Sequence, residues 1–211
     1  SGRAAALRRE LATLRAEKLG DLEGAIARYE AAVAANGSDV TALKSLVDLY
    51  DKTGRTDDYL RSMELLAQVA PEGEKLTTLR KLAVELEDRD PARAAAAYEK
   101  LLAADPNADD AYRGLERVLE GQESWQALAE LYARHIAAAK TPAQRVELHL
   151  AAAQVYDKRL GDHTKAIEAL LNVLAIEDTS SAALSALPRL YVGTQMFDRA
   201  VDVLAKHAAL E

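Results

Sequence analysis

The sequence predicts an all-α protein built as a solenoid of six antiparallel helical hairpins, twelve helices in all. Alanine, leucine, glutamate and arginine dominate its 211 residues, and apolar residues recur at three- and four-residue steps. One position in the second half of each hairpin recurs at spacings of 34, 35, 34, 38 and 34 residues. A fixed period of this size is typical of repeat proteins, in which each unit buries its apolar face only by stacking on its neighbours.

The repeated unit is defined by a stripe of apolar and aromatic positions. The recurring positions are Ala25, Tyr59, Ala94, Leu128, Ala166 and Ala200, and the side chains four residues later are Tyr29, Met63, Tyr98, Tyr132, Leu170 and Leu204. Because residues four apart lie on one face of a helix, the same packing face is copied six times. The predicted hairpins cover residues 3–35, 39–70, 73–104, 107–139, 142–177 and 180–210.

Helix-capping residues support the individual elements. The predicted first helices span about 3–19, 39–53, 73–87, 107–121, 142–160 and 180–194; the second helices span about 21–35, 56–70, 91–104, 123–139, 163–177 and 197–210. Gly54 suits the left-handed end of a helix, and both Asp90 and Thr141 precede a proline at a first helical position. Further N-cap candidates are Asp21, Ser124 and Asp162. Extra residues at 157–162 are expected to lengthen the first helix of the fifth hairpin.

Composition argues against several classes of partner. The chain has 27 basic and 34 acidic residues, a net charge of −7, which argues against nucleic acid or an anionic membrane as the main partner. There is no cysteine, and no apolar run approaches the roughly 18 residues of a membrane span, so membrane insertion is not expected. Ser1 and Gly2 are expected to be left over from cloning, and the chain to be a fragment of a longer protein.

The residues that could carry chemistry form no recognisable catalytic or metal site. The histidines are His135, His149, His163 and His207, and they fall in separate helices without the spacing of a zinc motif. Acid pairs such as Asp57-Asp58 start predicted helices, where carboxylates favour the positive end of the helix dipole. Trp125 is expected to pack in the core. We therefore predict no catalytic residue, no cofactor and no metal.

Residues 42–71 carry the pattern through which the chain resembles the tetratricopeptide repeat (TPR) family. The matching residues are Leu43, Leu46, Tyr50, Gly54, Met63 and Pro71. The resemblance implies a right-handed superhelix, a single repeat domain over residues 1–211, and a non-enzymatic scaffold that binds a peptide or partner protein in a concave groove lined by the first helices. An all-α enzyme is the least favoured reading.

The resemblance also implies which side chains face the groove. In this sequence they are Lys44, Asp48, Arg80, Arg113, Arg117, Gln154 and Arg189, and in the first hairpin Arg8 or Arg9. The strip is mostly basic, so we expect a ligand with acidic side chains that pair with guanidinium groups. The alternative is that these are ordinary solvated residues neutralised by acidic neighbours.

Self-association is the alternative function. The apolar C-terminal helix at 199–210 favours a homo-oligomer, or assembly into a longer array, through exposed end faces. The asparagine that a TPR clamp for chaperone C-termini needs does not follow Lys44; Asp48 stands there instead. The alanine and arginine usage suggests a bacterial source, and we expect a cytoplasmic location, or a periplasmic one if a leader was removed.

Overall fold

The computed structural model describes residues 7, 8, 10, 11, 13, 14 and 20–210. Among these residues there is no strand, which confirms the all-α class. The six described residues before Gly20 are helical, but most of the predicted first helix, including Arg9, lies outside the described residues. So do Ser1 and Gly2.

Eleven α-helices and one π-helical segment are defined in the described part of the chain. They are α1 (Leu22–Ala35), α2 (Val40–Thr53), α3 (Thr56–Val69), α4 (Glu72–Leu86), α5 (Pro91–Ala104), α6 (Asp109–Gly121), α7 (Trp125–Ala138), α8 (Pro142–Val155), the π segment (Tyr156–Leu160), α9 (His163–Ile176), α10 (Ser181–Gly193) and α11 (Phe197–Ala208). From residue 21 on, these bounds lie within two residues of the predicted helix ends, except at the end of α8, where the π segment takes over.

The chain forms two compact units, Ser1–Ala104 and Asp105–Glu211. Unit 1 contains α1 to α5, and unit 2 contains α6 to α11 with the π segment. Within each unit, helices pack on their sequence neighbours, as expected for stacked hairpins. The single domain over residues 1–211 stays a prediction.

In unit 1 the repeated stripe forms the core between successive helices. Ala25, Leu43, Ala83 and Ala94 are completely buried. The Tyr50 hydroxyl of α2 donates a hydrogen bond of 2.7 Å to Glu30 Oε1 of α1, which satisfies a phenol that is itself buried. Apolar packing and a peripheral polar contact therefore join consecutive helices.

In unit 2 the same stripe continues through α8, α9, α10 and α11. Its buried members are Ala153, Ala166, Ile167, Ala169, Leu170, Val173, Ala183, Leu187, Leu190, Tyr191 and Ala200. Leu128 of α7 is also completely buried. This packing holds α8, which also lines the candidate site.

Most of the predicted caps are confirmed. The side chains of Asp21, Thr141 and Asp162 accept hydrogen bonds of 2.8, 3.1 and 3.0 Å from backbone N–H groups three residues later. Gly54 ends α2 with a positive φ of 69°. Ser124 occupies the N-cap of α7, but its side chain makes no capping hydrogen bond.

The extra residues of the fifth hairpin take a form that the sequence did not indicate. The predicted helix over 142–160 ends as an α-helix at Val155, and the π segment follows it. π-Helices are rare and occur mostly as single turns within α-helices. Gly161 ends the segment with a φ of 65°, and its N–H donates to the Tyr156 carbonyl.

No helix in the described ranges is both long enough and apolar enough to cross a membrane.

Candidate functional site

A pocket in unit 2 brings two of the predicted site residues together. Its volume is about 680 Å³, and α6, α7, α8 and the π segment form its walls. Its lining includes Arg117, Trp125, Tyr132, Gln154, Lys158 and Arg159. We call this the Trp125 pocket. Arg117 lies on α6 and Gln154 on α8, so the first helices of two successive hairpins contribute to it.

The floor of the pocket is aromatic. Tyr132 is buried, and its hydroxyl donates a short hydrogen bond to Glu116 Oε1 of α6. Burial of the phenol is the main reason why the pKa of Tyr132 lies far above its usual value. The hydrogen bond to Glu116 and the charge of Glu116 raise that pKa further. Tyr132 therefore stays neutral and links α7 to α6.

Trp125 lies at the pocket rather than in the core. It is the first residue of α7 and is only partly buried. The guanidinium of Arg159 lies over its ring, 4.4 Å from the ring centroid, in a cation–π contact. The prediction that Trp125 packs in the core is wrong, because Trp125 lies in the first turn of α7, which the neighbouring segments cover only in part.

The charges around the Trp125 pocket are predominantly positive. Among the described residues that line it, three are cationic, Arg117, Lys158 and Arg159, whereas Glu120 supplies the one carboxylate. All four are exposed. The pocket therefore has a positive rim in a chain whose net charge is −7.

Arg113 lies next to this pocket but is held by an acidic neighbour. It lines an adjoining hollow of about 330 Å³ together with Arg117, and its Nε donates to Asp109 Oδ2 at 2.9 Å. The other oxygen of Asp109 lies 2.9 Å from His135 Nε2 and accepts a hydrogen bond of 2.9 Å from Gln144 Nε2. Burial alone would raise the pKa of Asp109, but His135 and Arg113 outweigh it and lower that pKa.

The remaining predicted residues lie outside the Trp125 pocket. In unit 1, Lys44 Nζ lies 2.7 Å from Glu74 Oε2, Asp48 is exposed on α2, and Arg80 is partly buried on α4. In unit 2, Arg189 of α10 pairs with Asp157 of the π segment. Lys44, Arg113 and Arg189 thus meet carboxylates of the chain itself, as the neutralisation alternative expects.

Sequence reasoning missed Lys158 and Arg159. Both lie in the π segment, within the residues that the fifth hairpin has in excess of the common period. The register of the repeat assigns no groove position to inserted residues. The available signal was the spacing of 38 residues between Leu128 and Ala166, together with two adjacent cations inside the insertion.

The histidines form no metal site in the part of the chain that the structure describes, where no group of three potential ligands comes together. His135 is only 5% exposed and stacks on the Tyr112 ring, with the centroids 4.1 Å apart. Its contacts are those of a packed, hydrogen-bonded side chain.

Comparison with known proteins finds a repeat family over part of the chain. A family model of the tetratricopeptide repeat matches residues 11–58. Similar solved structures include a MamA protein (24% identity, 81% of this chain and 91% of that chain covered, TM-score 0.49) and MamA from Desulfovibrio magneticus RS-1 (18%, 81% and 94%, 0.46). A third is YrrB, described as a TPR protein with an unusual peptide-binding site (19%, 85% and 89%, 0.43). No curated protein matches the chain.

Proposed function

We propose that this chain, in which a tetratricopeptide repeat model matches residues 11–58, is a non-enzymatic scaffold that binds a peptide or partner-protein segment along the first helices of its hairpins. The resemblance to the tetratricopeptide repeat family implies a protein-interaction scaffold. The observation that carries the proposal is the Trp125 pocket, where residues of two successive first helices, Arg117 and Gln154, line one cavity.

The composition of the pocket suits a peptide. Aromatic and arginine side chains are enriched at protein-binding hot spots, because they combine apolar area with directed hydrogen bonds. Trp125 and Tyr132 supply the aromatic surface, and the Gln154 amide can pair with a peptide backbone. The positive rim favours a ligand with acidic side chains.

The other predicted groove residues take a secondary part in this proposal. Lys44, Asp48 and Arg80 of unit 1, and Arg113 and Arg189 of unit 2, stay proposed partner contacts, each within its own unit. Because Lys44, Arg113 and Arg189 already have acidic partners, a ligand carboxylate has to compete with those partners. We therefore expect each of the three to contribute only where the ligand carboxylate displaces that partner.

The test is binding of peptides selected on the intact chain. A displayed library of random 12-residue peptides is selected, and the strongest synthetic peptide is titrated calorimetrically against wild type, Arg117→Glu and Gln154→Ala. We expect Arg117→Glu to weaken binding at least 10-fold, since it replaces an attraction with a repulsion. Arg89→Glu, an exposed reversal in the turn before α5, is the matched control. Unchanged affinity in both pocket variants would contradict the proposal.

A second function, self-association, is favoured by the outer face of α11. Phe197, Val201 and Leu204 are 58%, 64% and 52% exposed. The residues equivalent to Leu204 in the other second helices are buried: Tyr29, Met63, Tyr98, Tyr132 and Leu170. The face that is covered in the five other second helices is therefore apolar and open on α11. The occupant we assign is a second copy of the chain.

Light scattering over a range of protein concentrations tests this second function. Self-association predicts a mass that rises with concentration in wild type and falls to that of the monomer in Val201→Asp. Arg199→Asp, on the same helix, is the control for an added charge. A constant monomer mass in wild type removes self-association and leaves the peptide-binding function unaffected.

A further inference from the structure

We infer that the π segment makes the Trp125 pocket selective for a peptide in which a carboxylate side chain neighbours an apolar one. This inference rests on the proposed peptide-binding function and specifies its ligand. It assigns the selectivity to Arg159 and Trp125, with Lys158 in support.

The fifth hairpin contains an insertion relative to the common period of the repeat. The spacing between equivalent positions is 38 residues here and 34 or 35 elsewhere, and the excess falls at the π segment. The segment contacts α7, α8 and α9, so it forms a wall beside Trp125. π-Helical turns within helices are frequently found at functional sites.

The contact between Arg159 and Trp125 prepares the site for an anion. Arg159 is exposed, yet its guanidinium is held 4.4 Å from the Trp125 ring centroid. A guanidinium that stacks on an aromatic face still offers N–H donors at its edge, and a carboxylate accepts two of them in parallel. Because the side chain is already positioned, it has less freedom to lose on binding.

The acidic residue of the π segment is directed to a different contact. Asp157 pairs with Arg189 of α10, and its side chain is only 10% exposed. Its charge is thus engaged outside the pocket, while Lys158 and Arg159 line the pocket. Because Arg117 of α6 also lines the pocket, the ligand carboxylate can meet cations from both α6 and the π segment.

The apolar part of the ligand has its own surface. Ala151, Val155 and Trp125 line the pocket beside these cations. Burial of an aliphatic or aromatic side chain there would release water from the exposed part of Trp125. A peptide with Asp or Glu beside such a residue satisfies both surfaces at once.

Trp125 is also the reporter for the experiment, because it is the one tryptophan in the sequence. The probes are a 12-residue peptide selected by display on the intact chain and its twin, in which every Asp and Glu is replaced by Asn and Gln. Both are titrated by tryptophan emission and by calorimetry. We expect emission to change on binding and the twin to bind about 10-fold more weakly, the size of one charge-assisted hydrogen-bonded pair.

Substitution of Arg159 then assigns the selectivity. Arg159→Gln is expected to bind the acidic peptide about 10-fold more weakly and to discriminate little between the peptide and its twin. Arg89→Gln is the matched control and is expected to behave as wild type. Circular dichroism of Arg159→Gln checks that the helices are intact.

The outcomes distinguish failure of the inferred ligand selectivity from failure of the proposed peptide binding. If calorimetry shows binding but tryptophan emission is unchanged, or if wild type binds the twin equally well, the inference is overturned and peptide binding stands. If no selected peptide binds by calorimetry, both the inference and the proposed function fail.

Discussion

Asp109 is the residue with the most consequential side-chain contacts in the described part of unit 2. Its carboxylate meets Arg113 at 2.9 Å, Gln144 at 2.9 Å and His135 at 2.9 Å. These partners come from α6, α8 and α7, so one carboxylate joins three helices beside the Trp125 pocket. Because His135 is almost fully buried, its ring nitrogen depends on this contact.

Replacement of Asp109 by alanine is expected to destabilise the protein. Asp109→Ala leaves the buried His135 nitrogen without its carboxylate partner, and the cost of such a group is about 1–3 kcal/mol in the free energy of unfolding. Urea unfolding followed by circular dichroism measures the loss. Asp88→Ala, at an exposed position between α4 and α5, is the control and should change stability by less than about 0.5 kcal/mol. Equal effects of the two substitutions would contradict the role given to Asp109.

Asp109 also predicts how stability responds to acid. Its pKa is lower in the folded protein than in the unfolded chain, so its contribution is fully present above the unfolded value of about 3.9. That contribution is lost as the pH falls through the folded pKa. The stability difference between wild type and Asp109→Asn should therefore shrink as the pH falls below 4. A difference that is the same at pH 3 and pH 7 would refute this.

At the scale of elements, the sequence predicted helices well because the evidence for them is local. The end of α2 at Gly54 and the cap of α8 at Thr141 follow from single residues whose conformational preferences are strong. The apolar period fixes the face that each helix buries. Preferences of this kind do not depend on distant contacts, so helix ends can be predicted from the sequence alone.

The candidate site was predicted only in part, for a physical reason. Arg117 and Gln154 occupy regular positions of the repeat, so the register locates them. Lys158 and Arg159 lie in an insertion, where counting along the period fails. Exposure of Trp125 depends on how far the π segment covers the first turn of α7, which is a tertiary property.

The π segment depends on the glycine that ends it. Gly161 has a φ of 65°, a left-handed conformation that costs other residues roughly 1–2 kcal/mol. Gly161→Ala should therefore lower the free energy of unfolding by about 1 kcal/mol and weaken peptide binding at the Trp125 pocket. Gly37→Ala, in a turn of unit 1 with open space around its Cα, is the matched control. The account of the segment fails if Gly161→Ala leaves both stability and affinity at the wild-type values.

At the scale of the whole molecule, the net charge and the pocket have opposite signs. The chain carries −7, but three cations line the Trp125 pocket. The net negative charge of the chain therefore repels an acidic ligand, while the cations of the pocket attract it. Salt screens both effects. The affinity difference between the acidic peptide and its amide twin reports the sum of both effects, whereas Arg159→Gln changes the local attraction.

The affinity gap between the acidic peptide and its amide twin should narrow as salt is added. The Debye length falls from about 10 Å at 0.1 M to about 3 Å at 1 M, which weakens pairing at exposed cations such as Arg117 and Lys158. Titrations at 0.05 M and 0.5 M sodium chloride measure the change. A gap that is independent of salt would mean that the discrimination does not come from charge.

The measurement that tests the central proposal most directly is a two-dimensional ¹H–¹⁵N NMR titration of the intact chain with the selected peptide. We predict that the largest shift changes fall on the indole N–H of Trp125, the side-chain amide of Gln154 and the backbone of the π segment. Changes concentrated instead on Val201 and Leu204 of α11, with the Trp125 indole unmoved, would contradict binding in the Trp125 pocket.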